Sequence, residues 1–343
     1  MPINITPQDE DGIIKMILRD ARQAILRRKP GIDFKRVSFQ VKLQKIVFII
    51  AEELGIPLTR SWYLYGGYVH NPLVDIETLV DLEDSPQATF DLLGNAIEPS
   101  RDQKDIEYAE SLLGDKQSSY KNKIRKIAPE IFFKKYDEFL LDFYSKMAPE
   151  AYKQLYLNNA HLNQTYKRFE GLALKAERPA LDAFCPQLPA PFSDYYRTFT
   201  SDLSKLSVEV AKGEPSEFYD LTLRYIELLE GYLIKAGFER KVLSRFKLLE
   251  DVYKKDLWKT VALSISTKTV KGVRSEEVRA SQRRKLEENL TSLPSSLNQL
   301  EAILTEEGLL PTRNELIRFY EKNYGDRKEL TEALIGALRP NAR

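Results

Sequence analysis

Lys42-Leu43-Gln44-Lys45-Ile46-Val47-Phe48 runs, after a few more apolar residues, into Trp62-Tyr63-Leu64-Tyr65-Gly66-Gly67-Tyr68-Val69-His70-Asn71-Pro72. In the first stretch Phe39, Leu43, Ile46, Val47, Ile50 and Leu54 recur at 3.6-residue spacing, and Gly55 follows as a C-terminal stop. Val41, Phe48 and Ile49 fall off that stripe, so the helix is apolar on more than one side and must be largely buried. The second stretch is aromatic and alternating from Ser61 to Val69, the pattern of a short strand or extended turn hinged on two glycines. A buried helix feeding such a turn implies a compact helical domain around them.

Outward from there the chain keeps reading as helix. Thr6-Pro7 is an N-cap with a first-turn proline, opening a helix with Ile13, Ile14, Ile17, Leu18, Ala21 and Ile25 on one stripe, which ends before Pro30-Gly31. Ser100 and Gln103 form a capping box for a helix running to about Leu113. Helical pattern resumes from Tyr120 to Gly171, with Pro129 and Pro149 in first-turn positions. Pro179, Pro186, Pro189 and Pro191 interrupt it most strongly and mark the main domain boundary.

Beyond the prolines, amphipathic helices are expected over about Asp194 to Ala211, Ser216 to Ala236 and Glu239 to Ala262, stopped by Gly213 and Gly237. Ser264 to Arg274 alternates and ends in glycine, as a hairpin or mobile loop does. Leu286, Leu290, Leu293, Leu297, Leu300 and Leu304 keep the 4-3-4-3-4 spacing of a coiled-coil seam, interrupted by Pro294, so two packed helices or one kinked helix are expected. Pro311-Thr312 with Glu315 opens a short helix, and Lys328 to Leu338 a last one. The fold class is therefore mainly α, in a domain over 1–115, an extension over 116–178, a proline segment at 179–191 and a C-terminal bundle over 192–343.

At 343 residues and 43% hydrophobic content the chain can bury two or three cores, and 15 Gly with 17 Pro is low for that length. The longest apolar run, Ile46 to Ala51, falls far short of the roughly 20 residues that span a bilayer. Met1 to Glu10 lacks a secretory pattern, and the single Cys185 suits a reducing compartment, so a cytoplasmic chain without membrane contact is expected.

Lys42-Leu43-Gln44-Lys45 followed by Tyr65-Gly66-Gly67-Tyr68 resembles the domain shared by Panacea and SocA-like antitoxins and their YwgA-like relatives, over about Asp11 to Leu113. Gly67 stands where that family usually has proline. The resemblance implies a partner-binding role: neutralising or delivering a toxin, or acting with a phage-defence effector.

Within the aromatic turn Trp62, Leu64 and Tyr68 read as core closers, and Tyr63, Tyr65 and His70 as the residues free to face a partner. Catalysis finds little to work with. His70 and His161 stand far apart, with no Cys, His or Asp at metal-ligand spacing, and no glycine-rich phosphate cradle exists; no cofactor or metal is called for.

The net charge of +1 excludes a globally basic chain, yet Glu239 to Lys285 holds 14 Lys or Arg against 6 Asp or Glu, an excess of +8 that leaves −7 elsewhere. Arg240, Lys247 and Lys254 recur every seven residues, with Lys255, Lys268, Lys271, Arg274, Arg283 and Arg284 extending the field. That surface either contacts nucleic-acid phosphates, docks an acidic partner, or answers the acidic remainder of the same chain. The leading reading is a non-enzymatic interaction protein, self-association included, with DNA-binding through the basic region as the alternative and an enzyme of unknown class third.

Overall fold

The computed structural model describes residues 5–32, 34, 37–70, 102–176, 192–212, 216–238 and 245–324. These divide into two compact units: residues 1–157 with 259–288, and residues 158–258 with 289–343. The fold is mainly α, with one small two-stranded sheet among the described residues. The division differs from the one expected at the proline segment, which lies outside the described residues. What no composition shift announces is that 259–288 folds with the N-terminal part of the chain.

In the first unit α1 (Pro7–Arg28) begins with the expected cap: Thr6 Oγ1 and backbone N–H both donate to Asp9 Oδ2, at 2.8 and 2.7 Å. It packs on α2 (Val37–Leu54), α3 (Asp102–Leu112) and α4 (Gln117–Phe133), and its stripe of Ile13, Ile14, Ile17, Leu18, Ala21 and Ile25 is buried. Pro129 lies inside α4 and not at its start. Helix α5 (Tyr136–Met147) and the first part of α6 (Glu150–Ala176) follow. Gly55 adopts φ +61 after α2, the left-handed stop its position requires.

Strands β1 (Arg60–Tyr63) and β2 (Gly66–Val69) pair antiparallel, with Trp62 opposite Gly67 and Tyr63 opposite Gly66. The two glycines work differently. Gly66 has φ +86, whereas Gly67 is needed for space: a Cβ there would sit 2.7 Å from the Phe48 ring. Phe48, Trp62, Phe143 and Tyr156 interlock over it, with Trp62 stacked on Phe143 at 5.4 Å and Tyr156 edge-on to Trp62 at 5.1 Å.

The segment expected to be a hairpin or mobile loop is instead helix α10 (Trp258–Thr269) and a tight turn. Residue 271 then pairs with the hairpin: Arg60 and Lys271 exchange backbone hydrogen bonds of 2.8 and 2.9 Å. Gly272, at φ +115, lets this turn lie against Leu58, whose carbonyl oxygen a Cβ would approach to 2.4 Å.

In the second unit α7 (Phe192–Ala211) packs on α8 (Ser216–Phe238), and α9 (Phe246–Asp251) passes into a π-helical turn, Val252–Leu257. Tyr166, Tyr225 and Tyr253 are buried together there. Tyr166 and Tyr225 hydroxyls lie 2.5 Å apart, Tyr225 donates to the Leu249 carbonyl at 2.9 Å, and Tyr253 donates to Asn159 Oδ1 at 2.6 Å. Burial holds all three phenols above their ordinary pKa.

Helix α11 (Ser275–Glu306) carries Pro294 within it as a single element, so the alternative of two packed helices does not hold. Leu293, Leu297, Leu300 and Leu304 are its buried seam. The capping box at Thr312 opens α12 (Arg313–Tyr324), Thr312 N–H donating to Glu315 Oε2 at 2.7 Å. The helices expected from Glu239 and over 328–338 begin or lie outside the described residues.

Gly67→Ala is expected to destabilise the first unit by about 1–3 kcal/mol through overpacking against Phe48. Gly171→Ala, in open space within α6, is expected to stabilise by about 0.5–1 kcal/mol. Urea midpoints that move in opposite directions check the pair.

Candidate functional site

Several buried polar residues of unit 1 gather at the hairpin or at a helix end, where they meet backbone groups in need of a partner. Lys45 is fully buried, and its ammonium donates to the Gly67 carbonyl at 2.7 Å while lying 5.5 Å from the Phe143 ring centroid. No carboxylate contact accompanies that hydrogen bond among the described residues, and burial pulls its pKa down to about 7. Lys42, three residues earlier, reaches the C-terminal end of α4 and donates to the carbonyls of Phe132 and Lys134 at 2.9 and 2.5 Å. A cation at the negative end of a helix satisfies carbonyls the helix itself leaves open.

His70 does not face outward as a free turn residue. Its Nε2 lies 2.7 Å from Ser61 Oγ, which is itself 2.8 Å from Ser266 Oγ, and its backbone N–H donates to the Thr59 carbonyl. Burial first, then the nearby Lys285 charge, pushes the imidazole down to about 3, so it is neutral at ordinary pH. Ser61 is buried. The pair forms a hydrogen-bond chain from the hairpin to α10, with Trp62 N–H donating to Thr269 Oγ1 at 2.9 Å beside it.

Tyr63 is 1% exposed, which overturns its reading as a residue facing a partner: Tyr156 donates to its carbonyl at 2.8 Å and its side chain is part of the core. Tyr65, at the hairpin tip, is half-buried. Trp62, Leu64 and Tyr68 are buried as expected.

The basic region is drawn inward by acidic residues of its own units. Arg274 is held by Glu10 at 2.9 Å and Asp11 at 3.1 Å and donates to the Pro7 carbonyl, while Glu10, fully buried, also accepts from Thr59 N–H. Desolvation raises the Glu10 pKa despite those partners. Lys271 and Arg60 share Glu52, each at 2.7 Å, and these cations hold the Glu52 carboxyl below its usual range against the penalty of burial. In the second unit Lys254 pairs with the buried Glu250 at 2.7 Å, Lys247 with Glu250 at 3.2 Å, and Lys255 with Asp251 at 3.6 Å.

Lys268, Arg283 and Arg284 remain exposed, Arg284 with Glu288 only at 3.9 Å. Arg240 lies outside the described residues. Of the seven-residue stripe, the described members Lys247 and Lys254 both pair with Glu250.

The chain belongs to the DUF8098 family. The model of that domain of unknown function matches residues 2–334, spanning both units, and no curated protein and no solved structure matches the chain. No group of three or more His, Cys, Asp or Glu among the described residues of this DUF8098 protein is placed to hold a metal ion, and no described helix is long and apolar enough to cross a membrane.

Two surface grooves lie among the described residues. One, of about 430 Å³, is lined in the second unit by Asp220, Leu223, Arg224, Glu227, Leu228 and Glu301, with Arg224 paired to Glu301 across it. The other, of about 570 Å³, lies in the first unit between α1 and α4 and is walled by Arg27, Arg28, Arg125 and Lys126. No sequence window contains those four cations together, and neither groove is lined by the hairpin residues.

The lysine at position 45 makes a pH prediction. Its pKa is about 7 in the folded chain and near 10.5 unfolded, so between those values the unfolded state binds the extra proton and stability rises with pH. One proton contributes at most about 1.4 kcal/mol per pH unit. The wild-type urea midpoint is expected to climb from pH 7 to pH 9.5 and that climb to flatten in Lys45→Met. Lys42, shifted in the same sense, keeps a residual slope. Equal slopes in both proteins would contradict the assignment.

Proposed function

We propose that this DUF8098 chain is a cytoplasmic binding protein that holds a macromolecular partner and carries out no chemical step on it. The observation that carries this reading is the fate of the versatile side chains in the first unit: Lys42, Lys45, His70 and Arg274 are each committed to a backbone group or side chain of the same unit. A general base or nucleophile must reach a substrate atom within hydrogen-bond distance, and these groups are spent on the fold. What the unit offers to solvent is charge together with large apolar side chains such as Tyr108, 56% exposed, and Phe133, 40% exposed.

Exposed aromatics of this kind serve as anchors in protein interfaces. The resemblance of the N-terminal third to Panacea-type antitoxin domains supports a restrained or recruited partner, a toxin or a phage-defence effector, and leaves self-association open. The hairpin contributes to such a surface only through the half-buried Tyr65. Nucleic-acid contact through 239–285 loses support, because Lys254, Lys271 and Arg274 have intramolecular carboxylate partners.

Purification of the tagged chain from its native host at native expression is expected to bring down a partner in fixed stoichiometry. Tyr108→Asp or Phe133→Asp is expected to release it without lowering the melting temperature by more than a degree or two. Recovery of the wild-type chain alone counts against the reading.

A further inference from the structure

The groove between α1 and α4 is a basic feature that the fold does not use. Arg27, Arg125 and Lys126 are exposed and make no ion pair among the described residues. Arg28, equally without a carboxylate, lies over the Phe133 ring with its guanidinium carbon 5.6 Å from the centroid. One acid, Glu130, shares the lining, so the groove carries a local excess of three positive charges over a small apolar floor of Ala24 and Pro129.

Helix electrostatics account for half of this. Arg27 and Arg28 occupy the last turn of α1, where the macrodipole favours cations in any helix. Arg125 and Lys126 stand in the middle of α4, away from either end, where it favours nothing. Four cations held within one concavity with a single acid, Glu130, repel one another, and that arrangement is relieved by an anionic occupant.

The chemistry of the walls selects the class. Arg and Lys heads presented to solvent are what contacts to successive phosphates require. We propose that the α1–α4 groove binds the phosphodiester backbone of a nucleic acid, without sequence preference, as the macromolecular contact of the binding protein argued above. This rests on the non-catalytic reading of the chain and moves its nucleic-acid contact from 239–285 to residues the charge pattern did not mark.

The test is fluorescence anisotropy of the full chain with a labelled 20-base-pair DNA duplex, an RNA duplex of the same sequence, and polyglutamate. Four phosphate contacts predict a log–log salt slope near −3.6 for DNA, a loss of roughly 150-fold between 50 and 200 mM salt. Arg125→Gln/Lys126→Gln is expected to weaken binding about tenfold and to reduce that slope by about 2, Arg27→Gln/Arg28→Gln to do the same, and Arg283→Gln/Arg284→Gln to leave both unchanged.

The DNA and RNA arms say which nucleic acid is preferred, and binding of either supports the site. No binding of either duplex at 50 mM salt, wild-type behaviour of both groove variants, or tighter binding of polyglutamate than of either duplex overturns it. A protein partner recovered from the host in the presence of any of those results leaves the binding-protein reading standing and removes only this site.

Discussion

The first unit depends on a lysine placed where a lysine is expensive. Moving an ammonium out of water costs several kcal/mol even after relaxation, and a single carbonyl with an aromatic face does not restore that hydration. Lys45 accepts this because the alternative is a buried, unpaired Gly67 carbonyl at the inward face of the hairpin. The depressed pKa is the physical outlet: near neutrality the side chain sheds its proton and still donates a hydrogen bond as an amine. The same hairpin position must be glycine so that Phe48 can close over it, so the lysine, the glycine and the ring constrain one another.

A comparable logic joins the later segment to the hairpin. Beyond α10 the chain pairs as a single bridge, Arg60 with Lys271, and such a short ladder stabilises little on its own. Charged groups surround it: Glu52 accepts from both side chains, and Arg274 meets Glu10 while its N–H donates to Thr59 Oγ1. Arg279 adds two donations to the Thr267 and Val270 carbonyls, at 3.3 and 3.2 Å, closing the end of α10. Glu10 is the buried carboxylate of this set, and removing Arg274 leaves it uncompensated, which is why breaking that pair costs more than the pair contributes.

Local signals in the sequence were legible where a short stretch is self-sufficient. Thr6-Pro7, Gly55 and the Thr312 to Glu315 box each state a helix end within four residues, and each is found. The strand pattern of 61–69 and the core role of Trp62, Leu64 and Tyr68 were readable for the same reason. Tyr63 misled because alternation assigns one face of a hairpin to solvent, while all four residues of β1 are buried in the first unit. Pro294 left two packed helices or one kinked helix open, and a single 32-residue helix with a buried leucine seam decides for one element, since proline propensity is a local cost.

The assignment of 259–288 to the first unit was not legible, because its determinants are long-range: Ser266 to Ser61, Lys271 to Glu52, Arg274 to Glu10. Charge counted along the chain shares that blindness. A window over 239–285 sums cations without knowing that Glu10 and Asp11 are waiting for Arg274 and Glu52 for Lys271, so part of the local excess measured intramolecular demand. The α1–α4 groove reverses the case, since Arg27 and Arg125 are about a hundred residues apart and two separate basic stretches meet there only in the fold. Charge available to a partner is what remains after the fold has paired its own, and only spatial neighbours decide that remainder.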